Sequence, residues 1–281
     1  MSVDRIETFG SSVLQHGPEN DRVYLMKLQQ DDVPGVLKYI DELVDRHDYS
    51  KVFAKIPETS KAPFLQAGYS VEAQVPGFYQ GAVDGLFLAN YPQPERQNDP
   101  DAGVVAQVLE AARAKTGSAV SVSLHDDGNH QLRLAQTDDC SAMADLYRRV
   151  FPSYPFPIHD PDYLAETMTD NVTYAGVWKE DDLMALASAE VDKAGSHAEM
   201  TDFATDPACR GKGLAHLLLA ELETLMAREK IQTCYTIARA TSYGMNITFA
   251  KSGYQYGGTL VQNTQISGGM ESMNVWYKPV E

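Results

Sequence analysis

The sequence predicts a mixed α/β fold, with helices on both faces of a mixed sheet, preceded by a separate N-terminal segment. Three observations predict it. From residue 130 onward, apolar runs with a period of two alternate with runs that have a period of 3.6. Within this series a strand, a glycine-containing turn, an apolar helix and another strand follow one another, which favours parallel pairing. A polar, proline-rich stretch at residues 90–103 interrupts the pattern and separates two parts.

The second part contains the elements β-α-α-β-β-β-α-β-α-β-β in chain order. Alternating apolar residues predict strands in QLRLA (131–135), NVTYAGVWK (171–179), LMALASAEV (183–191), HAEMTDFAT (197–205), TCYTIARA (233–240), YQYGGTL (254–260) and SMNVWYK (272–278). Helical spacing predicts helices in TDDCSAMADLYRRVF (137–151), PDYLAETMT (161–169), LAHLLLAELETLMAREK (214–230) and TSYGMNITFAKS (241–252). Hairpins before the glycine-containing turn make that half of the sheet antiparallel.

We divide the chain into an N-terminal segment (1–95), a linker with a connecting helix (96–129) and a C-terminal domain (130–281). The connecting helix is predicted at residues 104–115, where apolar residues have helical spacing. FLQAGYSVEA (64–73) and FAKSGYQYGG (249–258) share Phe-x-x-x-Gly-Tyr. The N-terminal segment is therefore expected to be a partial copy of the last elements of the domain.

The charge and the cysteines restrict the function classes. The chain has 39 acidic and 23 basic residues, a formal net charge of −16, so its field repels nucleic acid and favours a small cationic partner. A solvated acidic surface explains the same excess. Three cysteines without a CxxC spacing predict neither disulfides nor a metal site and suit the cytoplasm. We predict no membrane segment, and the sequence leaves the oligomeric state open, a homodimer included.

The stretch CRGKGLAHLLLAEL (209–222) is the most informative part of the sequence. The first turn of a helix has unpaired N–H groups and a partial positive charge, so it can hold a diphosphate. Gly211 and Gly213 allow close approach to the backbone, while Arg210 and Lys212 add positive charge. The stretch matches neither GxxxxGK[ST] nor GxGxxG, which excludes those nucleotide sites. A glycine-loosened helix start with two solvated cations is the alternative interpretation.

Arg210, Gly213 and Ala215 after a strand ending in TDP, followed by FAKSGY, resemble the acetyl-CoA signature of the GNAT N-acetyltransferase superfamily. The resemblance covers residues 130–281 and implies a GNAT-like fold, acetyl-CoA as cosubstrate, and a partial GNAT-like N-terminal segment. The residues that it implies at the cofactor are Phe203, Ala204, Thr205, Arg210, Gly211, Lys212, Gly213, Leu214, Ala215 and Asn246.

A second resemblance spans nearly the whole chain. DYSKVFAKIP, GYSVEAQVPGFYQG, RGKGLAHLL, ARATSYGMNITFAKSGY and ESMNVWYKP are similar to the beta-lysine N-acetyltransferase family. This implies transfer of the acetyl group of acetyl-CoA to the side-chain amine of beta-lysine, which yields a compatible solute used under osmotic stress. Another acceptor (a polyamine, an aminoglycoside or a protein amine) and a non-catalytic acetyl-CoA-binding module are the alternatives.

Such a reaction needs a group that accepts a proton, because a lysine-like amine has a pKa of about 10.4 and is protonated at neutral pH. The strand AEMTDF offers Glu199 and Asp202, of which Glu199 has the longer reach. Alternation places them on opposite faces unless a bulge intervenes. A structural hydrogen bond or salt bridge is the alternative for either residue. Backbone N–H groups of residues 203–205 are the predicted donors to the thioester oxygen.

The general acid and the acceptor contacts follow less directly. Many GNAT enzymes have a tyrosine where this chain has Phe249, so Tyr243, Tyr235 or solvent must protonate the thiolate. The aromatic, proline-rich loop VFPSYPFPIHDP (150–161) lies where the family binds the acceptor. The candidate acceptor contacts are Tyr154, Phe156, His159 and Glu190, and packed surface aromatics are the alternative.

Overall fold

The computed structural model describes residues 4–118 and 130–280, in which thirteen strands form one sheet with seven α-helices packed against it. The strands are β1 (Arg5–Phe9), β2 (Ser12–Gly17), β3 (Arg22–Lys27), β4 (Lys51–Pro57), β5 (Ser70–Tyr79), β6 (Val83–Asn90), β7 (His130–Leu134), β8 (Val172–Lys179), β9 (Asp182–Asp192), β10 (His197–Thr205), β11 (Thr233–Arg239), β12 (Gln255–Ile266) and β13 (Gly269–Pro279). The helices are α1 (Gly35–His47), α2 (Lys61–Gln66), α3 (Ala102–Arg113), α4 (Cys140–Val150), α5 (Pro161–Asp170), α6 (Leu214–Arg228) and α7 (Tyr243–Lys251).

The predicted mixed α/β fold is confirmed, and the elements after residue 130 follow the predicted order. β10 and β11 pair in parallel on either side of α6, whereas β8, β9 and β10 pair antiparallel. Leu214, Leu218 and Leu222 of α6 are buried because they share the face that covers the sheet. The predicted connecting helix corresponds to α3, and residues 119–129 of the predicted linker segment lie outside the described residues.

The N-terminal half repeats the strand order of the C-terminal half. Along the sheet the order is β1-β2-β3-β4-β6-β5-β12-β13-β11-β10-β9-β8-β7. The first six strands thus follow the same path as β8 to β13, and α1 connects the parallel strands β3 and β4 as α6 connects β10 and β11. The two Phe-x-x-x-Gly-Tyr segments lie at matching helix-to-strand connections. The repeat therefore includes more elements than the sequence predicted, since only the last ones were expected.

The two halves join edge to edge where β5 pairs with β12, at Ala73 and Gly258. Gly258 has a φ of 148°, and a Cβ at this position would lie 2.1 Å from the carbonyl oxygen of Glu72. Only glycine tolerates such a close approach with this backbone conformation. Glycine at position 258 is thus required for the continuous sheet.

The continuous sheet curls until its two halves face each other. Phe78 and Phe87 of the N-terminal half lie 4.8 and 6.0 Å, ring centre to ring centre, from Tyr235 on β11. Phe53 on β4 and Val275 on β13 belong to the same buried cluster. Because this cluster fills the inside of the curl, β3 and β4 lie across from β10 and β11.

A buried ion pair holds the junction together. The Lys51 side chain is 0% exposed, and its Nζ lies 3.0 Å from Oε2 of Glu72 and donates to the carbonyl of Val261 on β12 at 2.5 Å. We expect Lys51→Met to lower the free energy of unfolding by about 3–5 kcal/mol, because it leaves a buried carboxylate without its cation. Urea denaturation followed by circular dichroism measures the change.

The matched control is Lys38→Met, which removes a lysine whose side chain is 82% exposed. That variant should stay within about 0.5 kcal/mol of the wild type, as surface substitutions usually do. A Lys51→Met protein as stable as the Lys38→Met protein would contradict the importance of the pair.

Candidate active site

A cavity of about 1140 Å³ lies inside the curl of the sheet, with walls from both halves of the chain. One wall is the inner face of β3 and β4, and another is formed by β9, β10 and β11. The loop at residues 150–158 and the start of α6 complete it. A cavity of this size has room for a long ligand together with a smaller one.

The start of α6 provides an anion site at one part of the cavity. Gly211 and Gly213 have φ values of 79° and 77°, the left-handed conformation that glycine adopts most readily. No side chain of the described residues caps the first turn of α6, so its N–H groups remain available to a ligand. Arg210 lines the cavity beside them. These groups fit the diphosphate of a coenzyme.

Strands β10 and β11 separate next to this helix start. Over the described residues they pair only from His197 to Glu199, opposite Thr233 to Tyr235. Beyond Glu199 the side of β10 that faces β11 has no strand partner, and Phe203 and Thr205 line the cavity. The exposed backbone edge fits an extended arm with amide groups, such as pantetheine.

The structure brings together most, but not all, of the residues predicted at the cofactor. Those that line the cavity are Phe203, Thr205, Arg210, Gly211, Gly213, Leu214 and Ala215. Ala204 is buried against α4 and offers only its backbone to this site. Lys212 is exposed and does not line the cavity.

The structure places Asn246, a predicted cofactor contact, away from the cavity. Its side chain is 0% exposed and does not line the cavity. Nδ2 donates to the carbonyls of Arg239 and Ser242, and Oδ1 accepts hydrogen bonds from Asn274 and Trp276. Because these four bonds use the amide fully, Asn246 fastens α7 to β11 and β13.

A bulge in β10 places both predicted carboxylates in the cavity. The register with β9 shifts between Thr201 and Ala204, and Asp202 has a φ of 54°. Strict alternation would have turned Asp202 away from the face that carries Glu199 and Thr201, but all three line the cavity. The exception foreseen in the sequence analysis thus occurs here.

Asp202 holds its neighbours through two side-chain hydrogen bonds. One carboxylate oxygen accepts a hydrogen bond from the Tyr154 hydroxyl at 2.5 Å, and the other accepts one from Ser188 at 2.6 Å. Burial raises the pKa of Asp202, and these hydrogen bonds oppose the rise. The two hydrogen bonds hold Tyr154 at the cavity wall, and the predicted proton transfer by Asp202 stays a prediction.

Glu199 is the carboxylate suited to accept a proton. It lies between Glu190 on β9 and Tyr235 on β11 in the sheet. Burial raises the pKa of Glu199 to about 7. The positive charge of Lys55 and a hydrogen bond from Tyr235 lower this pKa, and the negative charge of Glu190 raises it. A carboxylate with this pKa can gain and lose a proton near neutral pH, as a general base must.

One of the predicted general acids, Tyr243, lies away from the cavity. The Tyr243 side chain is 44% exposed at the start of α7 and does not line the cavity, because the helix turns it outward. Tyr235 is buried and contacts Glu199, and its hydroxyl accepts a hydrogen bond from Lys55 Nζ at 3.1 Å. Phe249 packs edge-on against Phe203 at 5.6 Å.

Three of the four candidate acceptor contacts lie at the cavity. Tyr154 and Phe156 of the loop and Glu190 of β9 line it, whereas His159 does not. Burial raises the pKa of Glu190, and Lys55 opposes the rise. The loop also meets the β12–β13 hairpin, where the N–H of Gly268 donates to the Ser153 hydroxyl at 2.9 Å.

Sequence reasoning missed the contribution of the N-terminal half. Arg22 and Tyr24 on β3 and Phe53 and Lys55 on β4 line the cavity. Charged residues at alternate positions of apolar strands were the available signal: Lys51 and Lys55 share a face of KVFAKIP with Phe53. A buried face that carries charges indicates a lined cavity or a set of ion pairs.

Within residues 4–118 and 130–280, no three His, Cys, Asp or Glu side chains form a group that could hold a metal ion. In the same ranges no helix is both long enough and apolar enough to cross a membrane.

The fold and the site define an acetyl-CoA-dependent N-acetyltransferase, and the profile of the Acetyltransferase (GNAT) family matches residues 140–254. The chain is 36% identical to beta-lysine N(6)-acetyltransferase of Methanococcus maripaludis, over 98% of this chain and 99% of that protein. It is 32% identical to the enzyme of that name from Methanosarcina mazei (88% and 96% covered) and 30% identical to N-acetyltransferase YodP of Bacillus subtilis (95% and 96%). The chain belongs to the beta-lysine N(6)-acetyltransferase family, which confirms the predicted resemblance.

Proposed function

We propose that the protein transfers the acetyl group of acetyl-CoA to the side-chain amine of beta-lysine, forming N-epsilon-acetyl-beta-lysine. The observation that carries the proposal is the identity with beta-lysine N(6)-acetyltransferase over 98% of the chain, because it includes the N-terminal half that lines the cavity. The cavity also contains Glu190 and Glu199, whose carboxylates suit a substrate with two ammonium groups.

The cofactor assignment rests on the helix start and the separated strands. We assign the diphosphate to the backbone of residues 211–215 and to Arg210, and the pantetheine arm to the free edge of β10 at residues 203–205. When bound, acetyl-CoA supplies a thioester that an amine can attack. The bulge at Asp202 leaves backbone N–H groups of β10 without a strand partner, and we assign one of them to the thioester oxygen.

Glu199 would take the proton that the acceptor ammonium must lose before its nitrogen can form the new amide bond. The nitrogen would lose its second proton to solvent as the amide forms. The CoA thiolate released when the carbon–sulfur bond breaks would take a proton from solvent, because no tyrosine hydroxyl of α7 lines the cavity. Tyr154, held by Asp202, would contact the acceptor. Acetylation removes one positive charge, so the product has one ammonium and one carboxylate and no net charge.

We also propose the domain division at residues 95 and 130, with the N-terminal segment as a GNAT-like unit that lacks a cofactor site. The connection between β3 and α1, residues 28–34, contains Asp31 and Asp32 and no basic residue. It therefore lacks the positive charge that Arg210 provides before α6. The role of the N-terminal segment would be to close the acceptor side of the cavity.

We place the reaction in the cytoplasm, where the neutral product would serve as a compatible solute.

An amine panel with acetyl-CoA tests the proposal, with CoA release as the readout. We expect the highest kcat/KM for beta-lysine among beta-lysine, lysine, spermidine, an aminoglycoside and a lysine-containing peptide, and an acetyl group on the side-chain nitrogen by mass spectrometry. Faster release with any other amine would identify a different acceptor. Heat of acetyl-CoA binding without turnover of any amine would identify a non-catalytic module.

A further inference from the structure

We propose that Arg22, on the inner face of β3, binds the carboxylate of the acceptor and thereby selects amino acids over amines that lack a carboxylate. The inference rests on the proposed function and goes beyond it, because it assigns acceptor specificity to the N-terminal half.

Arg22 is a buried cation that forms no close ion pair with a described carboxylate, although the charge of Asp4 acts on it from farther away. Its relative exposure is 5%, and it lines the cavity. Nη1 donates hydrogen bonds to the carbonyl of Asn263 and, at 3.3 Å, to the hydroxyl of Thr264, both on β12. Nε is buried and has no hydrogen-bond partner in the described part of the chain. Among the described residues the guanidinium forms hydrogen bonds but no ion pair.

The other two cations on this face have compensating groups. Lys51 forms its ion pair with Glu72, and Lys55 donates to Tyr235 and interacts with the charge of Glu199. Burial lowers the pKa of Arg22 to about 10, so the guanidinium still carries its charge at neutral pH. Buried charges in proteins are normally paired, and a charge without a pair at a cavity wall indicates a charged ligand.

The position of Arg22 assigns that ligand to the acceptor. Arg22 is fastened to β12, and the β12–β13 hairpin touches the loop that carries Tyr154. The diphosphate site, in contrast, is built by α6. The proposed acceptor has a carboxylate in addition to its two amines, and a guanidinium binds a carboxylate with charge-assisted hydrogen bonds. The guanidinium carbon lies 5.2 Å from the ring centre of Tyr24 and 5.7 Å from that of Phe53, so both rings make cation–π contacts with it.

The test compares beta-lysine with 1,4-diaminopentane, which has the same two amines on the same carbon chain but no carboxylate. We expect the wild type to favour beta-lysine in kcat/KM by roughly 10–100-fold, the scale of hydrogen bonds to a charged group. Arg22→Met should remove most of this preference by lowering kcat/KM for beta-lysine alone. Arg22→Lys, which keeps the charge, should retain part of it.

Arg96→Met is the matched control, because Arg96 also fastens the N-terminal half to β12, through a 2.9 Å hydrogen bond to the carbonyl of Gln262, but does not line the cavity. It should leave the ratio between the two acceptors unchanged. The wild-type comparison and Arg22→Lys keep the test valid even where Arg22→Met folds poorly.

The possible contrary results are distinct. Equal use of both acceptors by the wild type, or an equal loss for both in Arg22→Met, would overturn the carboxylate subsite and leave the acetyltransferase proposal intact. Weaker acetyl-CoA binding in Arg22→Met, measured by calorimetry, would reassign Arg22 to a coenzyme phosphate and also overturn it. Wild-type protein that acetylates neither acceptor would overturn the proposed function and this inference together.

Discussion

Glu199→Gln is expected to lower kcat by roughly 10²–10⁴-fold, the usual contribution of a general base. Gln has nearly the same shape but cannot accept a proton from the acceptor ammonium. The hydrogen bond from Tyr235 and the packing around β10 should survive, so acetyl-CoA should bind as in the wild type. Steady-state kinetics with beta-lysine, together with calorimetry for the coenzyme, measures both effects.

The pH dependence gives the same prediction a second readout. Because burial raises the pKa of Glu199 to about 7, the carboxylate is protonated below that pH and cannot act as a base. The wild-type kcat should therefore fall as the pH decreases through about 7, and Glu199→Gln should lack this limb.

Glu166→Gln is the control for this experiment, because Glu166 is an exposed carboxylate at the same cavity. That variant should keep the acidic limb and most of its activity. An unchanged pH profile in Glu199→Gln would assign the base to another group. Loss of coenzyme binding in Glu199→Gln would instead indicate a structural role for the residue.

Gly213→Val is expected to weaken acetyl-CoA binding by roughly 10²-fold or more, as displacement of well-placed contact groups commonly does. Gly213 adopts a φ of 77° directly before α6, a conformation that a β-branched residue resists. The first-turn N–H groups would move, and the side chain would project beside the assigned diphosphate position. Isothermal titration calorimetry with acetyl-CoA measures the loss.

Gly253→Val is the matched control, since Gly253 has a φ of 85° and lies outside the cavity. A Cβ there would meet only Lys278 Cε, at 4.0 Å. It should cost similar backbone strain and leave coenzyme affinity unchanged. Wild-type affinity in Gly213→Val would refute the assigned diphosphate site, and equal losses in both variants would attribute the effect to instability.

The features set by neighbouring residues were predictable from the sequence. The order of elements after residue 130 follows from apolar periodicity, and the glycine-containing start of α6 follows from a strand, two glycines and a helix that are contiguous in the chain. The outward direction of Tyr243 and the burial of Asn246 depend on how α7 is rotated against β13. That rotation is decided by packing. The sequence of α7 does not indicate it, because its apolar residues do not lie on one clear face of the helix.

The wall that β3 and β4 contribute to the cavity was not predictable, because it depends on contacts between distant parts of the chain. Lys55 and Tyr235 are 180 positions apart, and they meet only because the sheet continues from β5 to β12 and then curls. The apolar pattern of β5 or β12 alone does not indicate that the strand will pair with the other half of the sheet. The alternating charges in β4 indicated an unusual buried face but not what lies across from it.

The edge-to-edge junction at Gly258 also determines when the enzyme becomes competent during synthesis. Domains near the N-terminus generally fold first as a chain leaves the ribosome. The groups that tie Arg22 in place, however, lie more than 240 positions later, at residues 263 and 264. A nascent polypeptide thus lacks the bonds that fix Arg22 until β12 has been synthesised and has paired, so a complete cavity must await translation past residue 264.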